Sequence, residues 1–81
     1  MIGGEYLSMG ERVVVAPAWG RIETDLWEGD AVAVGTVIGR VREGDRVVPL
    51  LSPVAGIFLG WLARSGEWVP PGRAVARLRA S

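Results

Sequence analysis

A chain of 81 residues with nine basic and nine acidic side chains is long enough for one small domain and carries no net charge. Because neutralising phosphates requires a clustered surplus of Lys and Arg, this balance argues against nucleic acid as a partner. No stretch approaches the ~20 apolar residues of a membrane span, and residues 1–6 lack the basic start of a secretory signal. We therefore expect a cytoplasmic protein without membrane contact.

Short β-strands separated by glycine and proline account for the sequence from residue 11 onward. Each run of apolar or alternating residues is bounded by Gly, Pro or Gly-Asp, and no longer window carries a helical stripe. The clearest runs are 13–15, 37–41, 47–51, 57–62 and 74–78. Residues 1–10 lack this pattern. They are predicted to be an N-terminal tail or a short extra strand before a single β domain at 11–81.

The β domain is built from two copies of one unit. Pro17 and Gly20 recur 36 residues later as Pro53 and Gly56. A second set recurs 37 residues later, where Gly29, Val32, Gly35, Arg40 and Arg42 match Gly66, Val69, Gly72, Arg77 and Arg79. Since chance matches would not keep register on both sides of a one-residue slip, the pattern predicts repeats at about 12–42 and 48–79.

The turns between these strands depend on glycine and on one hairpin. We expect Gly20, Gly35, Gly56 and Gly72 to lie in tight turns, at least two of them with positive φ. Between the repeats, the segment 43–45 fits the tip of a β-hairpin.

Four short motifs lie in matching order in the two repeats. Segments 27–35 and 65–72 resemble the E-G-D-x-V-x-x-G signature of biotinyl and lipoyl carrier domains, and 16–20 and 52–56 resemble their A-P-x-x-G turns. The resemblance spans about residues 12–79. It implies the all-β hammerhead fold of that family, a flattened barrel or sandwich of two pseudo-symmetric antiparallel sheets. In that family a modified lysine sits on the hairpin between the halves, which corresponds to the vicinity of Asp45.

No lysine occurs at that hairpin or anywhere else in the 81 residues. Biotin and lipoate are attached through an amide to a primary amine, and a guanidinium cannot replace that amine. We therefore predict that the chain carries neither cofactor. Asn, Gln, His and Cys are also missing, so a general drift from lysine to arginine explains the absence, and a degenerate carrier remains one interpretation.

The side chains needed for common catalysis are missing too. Without His or Cys the chain lacks the usual acid–base group at neutral pH, the thiolate nucleophile and the common transition-metal ligands. Four carboxylates cluster at Glu23, Asp25, Glu28 and Asp30, but charge runs of this kind are usually a solvated strand face and turn. The sequence predicts no catalytic residue, no metal and no cofactor. It favours a non-catalytic protein over an enzyme.

Aromatic residues supply the positive signal. Trp61 lies in the apolar run 57–62 and is predicted to belong to the core. Trp19, Trp27 and Trp68 occupy turns or outward positions, where each either forms a binding surface or folds over the barrel edge to supplement a thin core. Because tryptophan is enriched at binding hot spots, we predict a contact surface. Its members are Trp19, Trp27 and Trp68 with Arg42, Glu43, Asp45 and Arg46 of the hairpin.

Two main functions follow from these residues. The first is a non-catalytic interaction or scaffold module with a carrier-like fold, which binds a partner enzyme or itself. The alternative is a small-molecule-binding protein or shape-driven catalyst of specialised metabolism, in which an aromatic cleft holds the ligand.

Overall fold

The computed structural model describes residues 10–81, which form eight β-strands. The strands are β1 (Glu11–Val15), β2 (Gly20–Thr24), β3 (Ala31–Val32), β4 (Val37–Glu43), β5 (Arg46–Leu51), β6 (Gly56–Trp61), β7 (Trp68–Val69) and β8 (Ala74–Ala80). Sheet I has the order β1-β8-β6-β3 and sheet II the order β5-β4-β2-β7. All pairings are antiparallel. The predicted all-β fold of two antiparallel sheets is confirmed.

No helix occurs between residues 10 and 81, so this part of the chain contains no helical segment that could span a membrane. Of the predicted tail or short extra strand at 1–10, only Gly10 is described, and residues 1–9 lie outside the described residues. Gly10 is joined to the end of β8, because its carbonyl accepts a hydrogen bond from the Ala80 N–H.

The two halves of the chain have the same topology. Strand β1 corresponds to β5, β8 to β4, β6 to β2 and β3 to β7, so each sheet takes two strands from each half. The turns repeat as well. The Asp25 N–H donates to the Ile38 carbonyl at 3.2 Å, and the equivalent Leu62 N–H donates to Val75 at 2.7 Å. Neither half can therefore bury its apolar face without the other.

The core lies between the two sheets. In β2 the side chain of Ile22 is buried while Arg21 is exposed, as the two-residue period of a strand requires. The largest fully buried apolar side chains come from both halves and are Phe58, Ile22, Ile38, Leu50, Leu78, Val41, Val69 and Val75. Each such side chain contributes roughly 1.5–3 kcal/mol by leaving water. The outer faces carry polar residues together with exposed aliphatic and aromatic side chains.

The four predicted turn glycines divide into two kinds. Gly35 and Gly72 lie in the turns before β4 and β8 with φ of +85° and +86°, which confirms that at least two have positive φ. Gly20 and Gly56 were wrongly predicted to lie in turns, because they are the first residues of β2 and β6. A Cβ on Gly20 would lie 2.6 Å from the Arg42 carbonyl oxygen, and one on Gly56 would overlap the backbone of β8. These two glycines are needed for close strand packing.

Candidate functional site

The hairpin between the halves is a two-residue turn. Glu43, the last residue of β4, pairs with Arg46, the first residue of β5, and Gly44 has φ of +60°. A positive φ at the first turn residue suits a hairpin of this length. Glu43, Asp45 and Arg46 are all exposed, and none of them makes an ion pair with another described residue. The predicted hairpin is confirmed, and its tip presents both charge signs to solvent.

A row of exposed side chains crosses the outer face of sheet II beside this hairpin. Trp68 of β7 pairs with Arg21 of β2, and Arg21 pairs with Arg42 of β4. Arg42 in turn pairs with Val47 of β5. Residues directly opposite one another in neighbouring strands project from the same face, so these four side chains form one line, which we call the Trp68 row. All four are exposed.

Two contacts organise the Trp68 row. The guanidinium carbon of Arg21 lies 5.8 Å from the centroid of the Trp68 ring, within the range of a cation–π interaction. On the other side, Nε of Arg42 donates to a carboxylate oxygen of Glu23 at 2.8 Å. The two arginines are thus held by different partners, one by an aromatic ring and one by a carboxylate. This separation orients two like charges that would otherwise repel across neighbouring strands.

A chain of ion pairs continues from Arg42 along the same face. Glu23 also pairs with Arg40, and Arg40 pairs with Asp25. The hydrogen bond from Arg42, with a further bond from Arg40, holds the pKa of the Glu23 carboxyl below its usual value. The same bond to Glu23 raises the pKa of Arg42. Because exposed ion pairs contribute little to stability, their main effect here is to position the arginines.

The three predicted contact tryptophans lie at two separate places. Trp19, 52% exposed, directly precedes β2 at the end where Gly20 packs against Arg42, and Trp68, 46% exposed, lies at the same end. Trp27 is 81% exposed but follows the opposite end of β2. The structure therefore places Trp19 and Trp68 at the end of β2 that is nearest the hairpin. It does not bring Trp27 to them, so the predicted single surface is divided.

Trp27 instead borders a small cleft with Trp61. The cleft has a volume of about 190 Å³ and is lined by Thr24, Asp25, Leu26, Trp27 and Trp61. Trp61 is half-buried rather than fully within the core, and its Nε1 donates to the Leu26 carbonyl at 3.0 Å. Thr24 ends β2, and Trp61 occupies the equivalent position at the end of β6, so the repeat carries a small residue in one half and a large one in the other. Both residues line the cleft.

The carboxylates near this cleft are used in local structure. Asp25 is paired with Arg40, and a carboxylate oxygen of Asp30 accepts the Trp27 N–H at 2.9 Å. Glu67 makes the equivalent contact in the second half, where the N–H of Arg64 and then Arg73 hold the pKa of its carboxyl below the usual value. Within residues 10–81, no group of three His, Cys, Asp or Glu side chains is placed to hold a metal ion. The available chemistry is stacking and hydrogen bonding.

Arg21 was not predicted as a functional residue, and the aromatic cleft of the alternative function was predicted without its position between Trp27 and Trp61. The alternation of β2 places Arg21 outward, but only the pairing of β2 with the two-residue strand β7 brings it to Trp68. One sequence signal could have identified this contact. Trp68 lies one residue before Val69, a valine that occurs in both repeats. The cleft depends on the contrast of Thr24 with Trp61, which becomes visible only when both repeats are aligned at their strand ends.

No protein-family model and no curated protein matches this chain. Solved structures do match. A single-chain, multi-domain long-chain acyl-CoA carboxylase contains a segment that superposes with a TM-score of 0.81 at 19% identity over 90% of this chain. The urea carboxylase of Kluyveromyces lactis superposes with a TM-score of 0.77 at 19% identity over 84% of this chain.

A third similar structure is a succinylglutamate desuccinylase/aspartoacylase from Rhodobacter sphaeroides, with a TM-score of 0.68 and 27% identity over 85% of this chain. The chain spans only 7% and 6% of the two carboxylases and 22% of the Rhodobacter protein. These likenesses show a shared fold. With its two interlocked antiparallel sheets, this chain has a fold like that of biotinyl and lipoyl domains.

Proposed function

We propose that this chain is a non-catalytic interaction module that binds a larger enzyme through the outer face of sheet II. The observation that carries this proposal is the Trp68 row, in which an exposed tryptophan stacks on an arginine. Trp and Arg are among the residues most enriched at binding hot spots. The Arg21–Trp68 contact also limits the motion of both side chains, which reduces the entropy lost when a partner covers them.

The hairpin extends this surface. It lies at the end of sheet II that holds Trp19, and its tip offers Glu43, Asp45 and Arg46 as unpaired charges. In carrier domains, which this chain resembles, the same hairpin presents the modified lysine to an enzyme. This chain has the hairpin but no lysine on it. A domain of this kind binds a partner by contact alone, without a covalently attached cofactor.

The comparisons support an enzyme as the partner. In each of the three solved structures the matching segment is a minor part of a longer chain. Their names describe carboxylases and a desuccinylase/aspartoacylase. Enzymes of these two kinds are therefore the first partners to test. A location in the cytoplasm stays a prediction.

A second candidate function, binding of a small molecule, is favoured by the cleft between Trp27 and Trp61. Its volume of about 190 Å³ lies below the ~300–1,000 Å³ of typical ligand pockets. An apolar cavity of ~150 Å³ holds a ligand as small as benzene. The cleft thus suits one aromatic ring or one side chain of a partner, and it supports the small-molecule function less well than the Trp68 row supports protein binding.

The proposal is tested by passing a cell extract over the immobilised wild-type chain and over matched variants. Immobilised wild-type chain is expected to retain an enzyme that Trp68→Ala and Trp19→Ala lose, because desolvated hot-spot tryptophans contribute ~2 kcal/mol or more. Arg79→Ala, at the sheet I position equivalent to Arg42, is the control and should retain it. Calorimetry with the purified enzyme then measures the affinities. Equal retention by Trp68→Ala and Arg79→Ala would contradict the proposal.

Attachment of a cofactor is tested separately. After co-expression with a biotin ligase and a lipoate ligase, the intact mass of the chain should be unchanged, because no side chain offers an ε-amine. A carrier domain with its lysine, expressed in the same cells, is the positive control. A mass increase equal to either cofactor would show that the chain acts as a carrier.

A further inference from the structure

The two sheets differ at their exposed edge strands. Strand β1 forms one edge of sheet I, and its repeat equivalent β5 forms the corresponding edge of sheet II. In β5, Pro49 pairs with Arg40 of β4. In β1, Val13 pairs with Arg77 of β8. One position of the repeat therefore carries a proline at one edge and a valine at the other.

Pro49 reveals which way the backbone points at this position. Proline has no N–H, so within a sheet it occupies edge positions where an N–H would point away from the neighbouring strand. Since β1 repeats the geometry of β5, the N–H and C=O of Val13 point away from β8. By the two-residue period, those of Glu11 do the same, and we infer the same for Val15, which follows the register shift between Val14 and Val15 in the pairing with β8. The next residue follows this phase, because the Ala16 N–H turns inward and donates to Arg73 at 2.8 Å.

The outer side of β1 is not paired with any other strand of residues 10–81, and it carries exposed valines. Val13 is 54% exposed and Val15 is 49% exposed. Among the strands of residues 10–81, none lies on the outer side of β1. Unpaired N–H and C=O groups beside apolar side chains make a template for another strand, whereas a proline blunts such an edge. Sheet II has this block at Pro49, and sheet I lacks it.

We propose that β1 is a self-association edge, along which two copies of this chain pair their β1 strands antiparallel about a two-fold axis at Val13. Val13 would then face Val13 of the second copy, and Glu11 would face Val15 of that copy. Opposite residues whose N–H and C=O groups point toward each other exchange two hydrogen bonds. With three such residue pairs, this register forms about six hydrogen bonds. Sheet I of one copy and sheet I of the other would then form one continuous sheet.

Charge and symmetry favour a second copy of this chain as the partner that pairs with the edge of β1. In this register Arg12 lies opposite Val14 of the other copy, just as Glu11 lies opposite Val15. No like charges therefore lie directly across from each other. Glu11 remains free to keep its ion pair with Arg77 of its own chain, at 3.1 Å. A strand that is complementary to itself meets the requirement of a two-fold interface. The edge lies in sheet I, so this inference is independent of the enzyme-binding surface on sheet II.

Sedimentation velocity of the full chain over a concentration series tests the proposal. Wild type is expected to show a monomer–dimer equilibrium, and Val13→Pro is expected to stay monomeric, with dimer affinity reduced at least tenfold. The fold should tolerate this proline because Pro49 occupies the equivalent position. Thermal unfolding checks this expectation. Val13→Lys serves if Val13→Pro does not fold, because it sets two like charges face to face at the axis.

Three further variants decide the result. Pro49→Val opens the second edge and is expected to produce species larger than a dimer. Trp68→Ala, on sheet II, should leave the dimer unchanged. A chain beginning at Gly10 should dimerise as wild type does. The proposal is overturned if wild type stays monomeric up to about 1 mM, or if the dimer persists in both Val13 variants. It is also overturned if only removal of residues 1–9 creates the dimer, since those residues would then cover the edge.

Discussion

Sheets I and II share strand order and pairing but differ in what they expose. The Trp68 row of sheet II consists of Trp68, Arg21, Arg42 and Val47, and the equivalent row of sheet I consists of Ala31, Ile57, Arg79 and Glu11. Within residues 10–81, an aromatic ring stacked with an arginine occurs in sheet II and not in sheet I. Of the equivalent edge strands β1 and β5, β5 of sheet II contains a proline and β1 of sheet I does not. The shared topology depends on the buried residues, so the outer residues of the two copies were free to diverge.

This divergence separates two kinds of contact. The face of sheet II presents a tryptophan in contact with an arginine, which suits the proposed enzyme partner, while the edge of sheet I presents backbone groups that suit the proposed pairing with another strand. The following predictions compare equivalent positions in the two copies. They begin with the largest expected effect.

Gly56→Ala and Gly20→Ala are expected to destabilise most, because a Cβ at either position meets the backbone of a neighbouring strand and Gly20 also has a φ of +153°. Backbone cannot move aside as the end of a flexible side chain does, so we expect a loss of about 2–4 kcal/mol in the free energy of unfolding. Urea denaturation measures it. Gly72→Ala is the control, with an expected loss of about 1 kcal/mol from its positive φ alone. A loss in either variant no larger than that of Gly72→Ala would contradict the close strand packing at these two glycines.

Trp61→Ala should come next, with a loss of about 2–3 kcal/mol. It removes a half-buried ring that packs 5.0 Å from Phe58, together with the hydrogen bond to Leu26. Thr24→Ala, the equivalent change in the other copy, and Trp27→Ala, at an exposed ring, should each cost under about 1 kcal/mol. Thermal unfolding of the three variants compares them. An equal loss in Trp27→Ala and Trp61→Ala would mean that Trp27 is also part of the core in solution.

The contact between Arg21 and Trp68 should contribute a smaller coupling. A double-mutant cycle of Arg21→Ala and Trp68→Ala is expected to give about 0.5–1 kcal/mol in the free energy of unfolding, as exposed cation–π pairs do. The equivalent pair in sheet I is Ile57 and Ala31, and Ile57→Ala is the matched control for the loss of side-chain area. A coupling of zero would mean that Arg21 and Trp68 are not in contact in solution.

The smallest effect concerns pH. The pKa of Glu23 is lowered in the folded state by Arg42 and then by Arg40. The ionised carboxylate therefore stabilises the fold fully at pH values above its pKa in the unfolded chain, about 4.3. This stabilisation is lost as pH falls through the lowered folded value. The difference in melting temperature between wild type and Glu23→Gln should therefore shrink as pH falls from 7 to 3. Glu67→Gln, in the second copy, should behave in the same way, because the pKa of Glu67 is lowered by Arg64 and Arg73. A difference that stays constant with pH would contradict the assigned ion pairs.

Local patterns in the sequence predicted much of the fold. The repeat, the alternation in β2 and the glycines at 35 and 72 each depend on residues near one another in the chain. The division of the tryptophans into two groups could not be predicted in this way. Trp19 and Trp27 lie beyond opposite ends of β2, and only the pairing of β2 with β7 shows that Trp68 lies at the end of Trp19 and not at that of Trp27.

The sequence by itself determined which side-chain groups these 81 residues lack and the repeated strand pattern that sets their fold class. Amine, thiol and imidazole groups either occur in a chain or do not, and apolar periodicity is a local property. The tertiary structure decided which side chains meet. Pairing of β2 with β7 places Arg21 beside Trp68, and the position of β1 at the edge of sheet I leaves Val13 exposed. These relations join residues far apart in the chain, and only the packing of two interlocked copies around one core brings them together.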